Sequence, residues 1–276
     1  MKIDSSRLNL FYQNPDRFRL RELCRLSPKE PAANTWAATL SFGRRRGTAF
    51  HELMDAAYRQ VPENEAIESL NSGGFSAKEI EVATAMYRAA TARYSSDEYL
   101  AHEVLFEAAI PNSPHSIVGR IDSVVRRDGE VFIRDYKTSK YRSKADLARK
   151  GEEYCRSTQV GFYLAGARSL GFDPTRFVYS VLHSGRDNSG ISISEFSTTR
   201  TSLQLNELMR TVDQTCEMIL WLKEKYGIQR SWPNLPERFT TGYEEILGHP
   251  AYPGFVPDGF EPKVDHLPID LQMGAA

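Results

Sequence analysis

The chain has little cysteine, no long apolar run and no excess of either charge. Its three cysteines, Cys24, Cys155 and Cys216, are odd in number and widely spaced. No disulfide framework can be read from them, and no C-x-x-C pair marks a thiolate metal knuckle. No apolar stretch approaches the ~20 residues needed to cross a bilayer, and the opening MKIDSSRLNL lacks the apolar segment of a secretory signal. A cytoplasmic protein with no membrane contact is expected. With 35 basic and 36 acidic residues, the net charge of -1 argues against a surface that coats nucleic acid throughout, although not against a local basic groove. No G-x-x-x-x-G-K-[ST] loop is present, so no bound nucleotide is expected and any ATP-driven unwinding needs a partner. What remains is ordinary globular composition: 276 residues, 41% hydrophobic, 11% aromatic and 26% charged.

The pattern along the chain alternates helical and extended segments. SRLNLFYQNPDRFRLREL reads as two short helical pieces broken at Asn14-Pro15, where proline suits a first helical turn. A polar loop is expected to about Gly43, then a helix through RRRGTAFHELMDAAYRQ with Phe50, Leu53, Met54, Ala57 and Tyr58 as its apolar stripe. His51 sits at the edge of that stripe. Ser76, with Glu79 three residues later, predicts a capped helix over SAKEIEVATAMYRAATARY. HEVLFEAAI, FVYSVLHS and GISISEFST read as strands, SKADLARKGEEYCRSTQVGFYLAGARSLG as mostly helical, and LNELMRTVDQTCEMILWLKEKYG as a long amphipathic helix. The chain thus reads as a single α/β domain over 1–276, with a mixed central sheet flanked by helices. Its core spans about 5–225, and an irregular, aromatic and proline-rich tail covers about 232–276.

The most informative stretch is GRIDSVVRRDGEVFIRDYKTSK, residues 119–140. Asp128-Gly129 between alternating β-branched segments predicts a two-residue hairpin, because the type I′ turn needs positive φ at both central positions. Counting outward from the turn sets Asp122 directly opposite Asp135, on a rung where side chains approach to about 4.5–5.5 Å. Two like charges so placed repel unless something positive stands beside them. Lys137, two residues past Asp135 and on the same face, is one such charge, and a divalent cation is another. On these residues alone, a solvated ribbon face carrying Asp and Lys explains the pattern as well.

Other polar residues are weak signals singly. Gln159 and Tyr163 stand at i and i+4 on one helical face, which also describes the rim of a half-exposed helix. His51 also fits a hydrogen-bonded histidine at a core edge. Arg44, Arg45 and Arg46 form a charge run ahead of the expected helix start, a natural position for phosphate contact.

In order, however, G-x-x-x-H at Gly47–His51, G-x-x-D at Gly119–Asp122, D-x-K at Asp135–Lys137 and Q-x-x-x-Y at Gln159–Tyr163 resemble the RecB-like nuclease branch of the PD-(D/E)XK superfamily. The resemblance implies a restriction-endonuclease-like core and a metal-dependent deoxyribonuclease, foremost an exonuclease of DNA repair, recombination or phage DNA processing. It implies His51, Asp122 and Asp135 as ligands of Mg²⁺ or Mn²⁺, joined by the Tyr136 backbone carbonyl, with Lys137 beside the attacking water. Gln159, Tyr163, Arg120 and the arginine run become DNA contacts or supports of the site. Relatives in this branch often clamp an iron–sulfur cluster with four cysteines. With three cysteines, and Asn14 where a Cys-Pro often stands, no cluster is expected here. A structure-specific or nicking endonuclease, or a non-catalytic DNA-binding subunit on the same fold, are the other readings, and a helicase or recombinase is the kind of partner implied.

Overall fold

The computed structural model describes residues 1–28, 36–139, 143–184, 190–228, 232 and 260–262. In chain order the first elements are β1 (Lys2–Ile3), α1 (Ser5–Gln13), α2 (Pro15–Phe18), a π-helical turn (Arg19–Leu23) and β2 (Leu26–Pro28). Three helices follow, α3 (Trp36–Tyr58), α4 (Glu63–Ser72) and α5 (Ala77–Arg93), then three strands, β3 (Glu98–Ala109), β4 (Ser116–Arg127) and β5 (Glu130–Ser139). The rest comprises α6 (Lys144–Cys155), α7 (Thr158–Ser169), β6 (Arg176–Ser184), β7 (Ile191–Thr198), α8 (Ser202–Tyr226) and β8 (Phe260–Pro262). The chain divides into two compact units, a larger one (Pro31–Phe106 and Arg120–Arg200) and a smaller one (Met1–Glu30, Glu107–Gly119 and Thr201–Ala276).

The larger unit is organised by the expected hairpin. Asp128 and Gly129 have φ of 52° and 81°, and the β4–β5 ladder runs antiparallel from Ser123↔Arg134 to Arg127↔Glu130. β5 then pairs with β6 in parallel, and β6 with β7 antiparallel, in a mixed sheet that also carries β3 on β4. A parallel β5–β6 pair needs a crossover, and α6 and α7 provide it. Central β5 is buried through Phe132–Tyr136, with Arg134 and Asp135 enclosed among apolar residues. Arg134 is compensated by an ion pair to Asp97 and by the Tyr94 ring 3.7 Å from its guanidinium carbon.

On one face of the sheet, Tyr136 and Leu182 pack with Phe50, Leu53 and Met54 of α3 and with Ile80, Ala83 and Met86 of α5. Asp135, pointing to the opposite face from Tyr136, meets α7. The Ser76–Glu79 capping box of α5 forms as read. Three expectations change. α3 begins at Trp36 rather than after Gly43, because the preceding Ala- and Leu-containing segment continues the helix and one glycine costs only about 1 kcal/mol. Its buried stripe takes Ala56 in place of Ala57, and Tyr58 is left 45% exposed. The long helix after the hairpin is two helices, separated at Arg156–Ser157. α4, with Glu63 and Glu65 favourably placed in its first turn, is an unpredicted helix.

In the smaller unit, β1 runs parallel to the first residues of β4. Asp4 and Asn14 cap α1 and α2, and a Thr201–Gln204 capping box starts α8. The Tyr12 hydroxyl bonds Thr215 Oγ1 at 2.6 Å, and buried Asp16 pairs with Arg19 and accepts from the Trp232 backbone N–H. β2 pairs with β8; apart from Trp232 and β8, the expected tail lies outside the described residues. No helix among the described residues is long and apolar enough to cross a membrane.

Candidate active site

The hairpin register, continued by one residue past Ser123↔Arg134, brings Asp122 opposite Asp135. Asp122 Oδ2 accepts the Tyr136 backbone N–H at 3.0 Å, which fixes that carboxylate to the neighbouring strand. Asp135 is 1% exposed; its Oδ1 accepts from Gln159 Nε2 at 2.9 Å, and its Oδ2 lies 2.6 Å from Lys137 Nζ. Gln159 is held in turn by the Tyr179 hydroxyl, which donates to Gln159 Oε1 at 3.2 Å and lies 3.1 Å from Ser157 Oγ. The Tyr179 ring also lies 5.6 Å from Lys137 Nζ. The parallel β5–β6 register sets Tyr179 directly beside Asp135.

α3 delivers the histidine. Gly47 lets the helix approach β5 closely: a Cβ there would sit 3.1 Å from Thr138 Oγ1. One turn later His51 Nδ1 lies 3.8 Å from Asp122 Oδ2 and 3.6 Å from Glu103 Oε1. His51, Glu103 and Asp122 can each offer a ligand atom, and these atoms all fall within 4.8 Å of one another. Glu103 escaped the sequence reading. It sits in β3 with φ of 46°, a backbone conformation rare for a non-glycine residue, so simple strand alternation does not report where its side chain goes. Exposed Arg120 pairs with its other oxygen at 2.7 Å. These groups line a cavity of about 490 Å³, together with Thr48, Glu52, Asp55, Gln159 and Tyr163.

The charges perturb one another. Burial and the adjacent Asp122 push Asp135 up to about 7, with the Lys137 ammonium pulling the other way. Burial opposes the charge on Lys137, but Asp135 and Asp122 outweigh it and hold Lys137 above the ordinary lysine value. His51 is likewise held above its usual value: burial lowers it, but Asp122, Glu103 and Asp135 win. Glu103 is held below the usual carboxylate range, because hydrogen bonding from His51 and the Arg120 charge exceed the effect of burial. Hard carboxylate oxygens with one imidazole, converging on one cavity, fit a Mg²⁺ or Mn²⁺ ion.

The other predicted residues divide between the cavity and its surroundings. Tyr163 lines the cavity, its ring packed against Phe106 and Phe177 at 5.9 and 6.0 Å. The Tyr136 side chain is buried, its hydroxyl 2.9 Å from that of Tyr99. The arginine run does not precede a helix start but lies inside α3. Arg45 pairs with Glu79 at 3.0 Å, donates to the Gly74 carbonyl and covers the Phe75 ring, while Arg46 is 3% exposed and only Arg44 is simply at the surface.

Residues 5–232 match the family model of the PD-(D/E)XK nuclease superfamily, and the chain belongs to that superfamily. No curated protein matches. Among solved structures, a candidate exonuclease from Eubacterium rectale is 13% identical, covers 81% of each chain and gives a TM-score of 0.48. An alkaline exonuclease from Laribacter hongkongensis is also 13% identical, covering 65% of this chain and 91% of its own, with a TM-score of 0.30.

Proposed function

We propose that this nuclease is a Mg²⁺- or Mn²⁺-dependent deoxyribonuclease acting as an exonuclease in DNA repair, recombination or phage DNA processing. One observation carries the reading: two carboxylates on neighbouring strands converge with an ammonium 2.6 Å from one of them and an imidazole 3.8 Å from the other. His51, Asp122 and Asp135 would hold the ion, with the Tyr136 carbonyl as sequence analogy implies and Glu103 as an added donor. When bound, such an ion stabilises charge on the scissile phosphate and lowers the pKa of water.

The chain's own residues account for the rest. Gln159 and Tyr179 fix the Asp135 carboxylate, so its orientation is set before substrate arrives. Lys137, kept protonated by its carboxylate neighbours, orients the attacking water and stabilises negative charge on the phosphate; it does not take the water's proton. In the reaction the water oxygen bonds to phosphorus and gives up a proton to solvent, the phosphorus–oxygen ester bond breaks, and the departing oxygen takes a proton from solvent. Arg120 at the cavity and Arg44 on α3 contact the DNA backbone, whereas Arg45 and Arg46 serve packing.

Unpaired Cys24, Cys155 and Cys216 suit a reducing cytoplasm, where a helicase or recombinase partner would present DNA ends. No iron–sulfur cluster enters the proposal: Cys24 Sγ lies 3.3 Å from the Ile228 carbonyl oxygen, and Cys216 is buried in α8. The test is incubation of end-labelled linear DNA with Mn²⁺ or Mg²⁺, comparing the native chain with Asp122→Asn. Progressive shortening by the native chain and none by the variant is expected. Equal cleavage by both overturns the site, cleavage of covalently closed circles makes the enzyme an endonuclease, and an inert native chain makes it a non-catalytic DNA-binding subunit.

A further inference from the structure

A second cavity in the larger unit, about 220 Å³, is walled by Tyr58, Thr91, Ser95, Tyr99 and His102. Its position follows from two of the elements that build the first, α3 and β3. Tyr58 lies two turns beyond His51 on the same stripe of α3, roughly 10 Å along the axis. On β3, His102 is the residue before Glu103.

The walls are aromatic and organised. Tyr58, although 45% exposed, stacks on His102 with ring centroids 5.1 Å apart and planes at 25°. His102 is steadied by a 3.1 Å contact from Nδ1 to Ser123 Oγ, and Tyr99 stands edge-on to it at 6.5 Å. Among the described residues no lysine or arginine lines the cavity, and the Asp97 carboxylate at its wall is taken by Arg127 and Arg134. A phosphate therefore finds no cation there. A flat heterocycle finds an exposed ring braced by a second, in a space smaller than the roughly 300–1,000 Å³ of pockets for larger ligands.

We infer that this cavity is a nucleobase subsite, in which one base of the substrate strand stacks on Tyr58 while the phosphodiester about three stacked nucleotides away lies at Asp122 and Asp135. The inference rests on the nuclease reading. It gives the enzyme a grip on the strand that is aromatic and therefore tolerant of base identity.

An abasic scan tests it. Single-stranded oligonucleotides carrying one abasic position, moved along the strand, are bound to the full chain in Ca²⁺ and followed by fluorescence anisotropy. The native chain is expected to lose affinity about 5- to 100-fold at one position and little elsewhere. Tyr58→Ala is expected to bind the intact strand as weakly as the native chain binds that abasic strand, and to show a flat scan; Tyr58→Phe, which keeps the ring, retains the discrimination. A flat scan in a native chain that still cleaves DNA overturns the subsite without touching the nuclease reading. So does an unchanged scan in Tyr58→Ala. Free dAMP is the second probe: binding to the native chain that Tyr58→Ala abolishes, combined with a flat scan, would mark a site for free nucleotide and overturn the strand subsite. A native chain that cleaves no DNA with Mn²⁺ or Mg²⁺ removes the reading on which the inference stands.

Discussion

Gln159 Nε2 donates to Asp135 Oδ1 at 2.9 Å, leaving the other oxygen of this buried carboxylate to Lys137. The bond does more than tether: it selects which lone pairs of Asp135 remain available to a cation. Outer partners of this kind set ligand orientation, and their loss typically costs about 10- to 100-fold in metal affinity or activity. Gln159→Leu, similar in volume, is expected to weaken Mn²⁺ binding by calorimetry and slow cleavage by about 10–100-fold. A variant that binds Mn²⁺ and cuts DNA at native levels would show that the Ser157–Tyr179–Gln159 chain is only packing.

Asp122 serves two purposes, and they pull stability in opposite directions. Its carboxylate repels Asp135, but its Oδ2 is the acceptor for the buried Tyr136 N–H. Asparagine keeps an acceptor oxygen and removes the charge; alanine removes both. Leaving the N–H unsatisfied costs about 1–3 kcal/mol. Asp122→Asn is therefore expected to unfold at higher denaturant than Asp122→Ala, with both inactive. Equal midpoints in urea would mean that the strand-to-strand bond contributes nothing measurable.

The Asp135 carboxyl, pushed up to about 7 from an ordinary 3.8, couples folding and metal binding to pH. Because the folded value is the higher one, this group favours the fold below about pH 4, and its contribution is lost as pH rises through about 7. A cation held as proposed requires Asp135 ionised and His51 neutral, and both follow from raising pH. Saturating Mn²⁺ is thus expected to raise Tm more at pH 8 than at pH 6, as read by scanning calorimetry. In Asp135→Asn the metal-dependent rise should shrink at both values. A larger rise at pH 6 would contradict the direction of the Asp135 shift.

How much of this was legible depends on whether the determinant is local. Asp128-Gly129 demands positive φ twice, and that single turn fixes the Asp122–Asp135 juxtaposition. The Ser76–Glu79 box and the Gln159–Tyr163 spacing are likewise short-range and were readable. Tyr179 was not: it reaches Asp135 through a parallel pairing of strands separated by two helices, which no local pattern encodes. The place of the arginine run inside α3, rather than ahead of it, was hidden for the same reason. Arg45 is positioned by Glu79 on a different helix, a contact invisible along the sequence. Glu103 was hidden by its backbone, since a positive φ within a strand breaks the alternation on which strand reading relies.

That backbone makes the last prediction. A non-glycine residue held at φ of 46° in a strand stores strain of about 1–3 kcal/mol, tolerated where the site needs the side chain aimed a particular way. At Glu103 the return is a carboxylate 3.6 Å from His51 and 2.7 Å from Arg120. Glu103→Ala loses these contacts and keeps the strain; Glu103→Gly loses the same contacts but adopts the conformation freely. The glycine variant is expected to be more stable than the alanine variant by about 1 kcal/mol in urea unfolding, even though glycine ordinarily weakens a strand. Both should bind Mn²⁺ more weakly than the native chain, because the cavity has lost a carboxylate. If alanine proved the more stable of the two, Glu103 would sit in its left-handed conformation at no cost, and the strand's departure from alternation would owe nothing to the site.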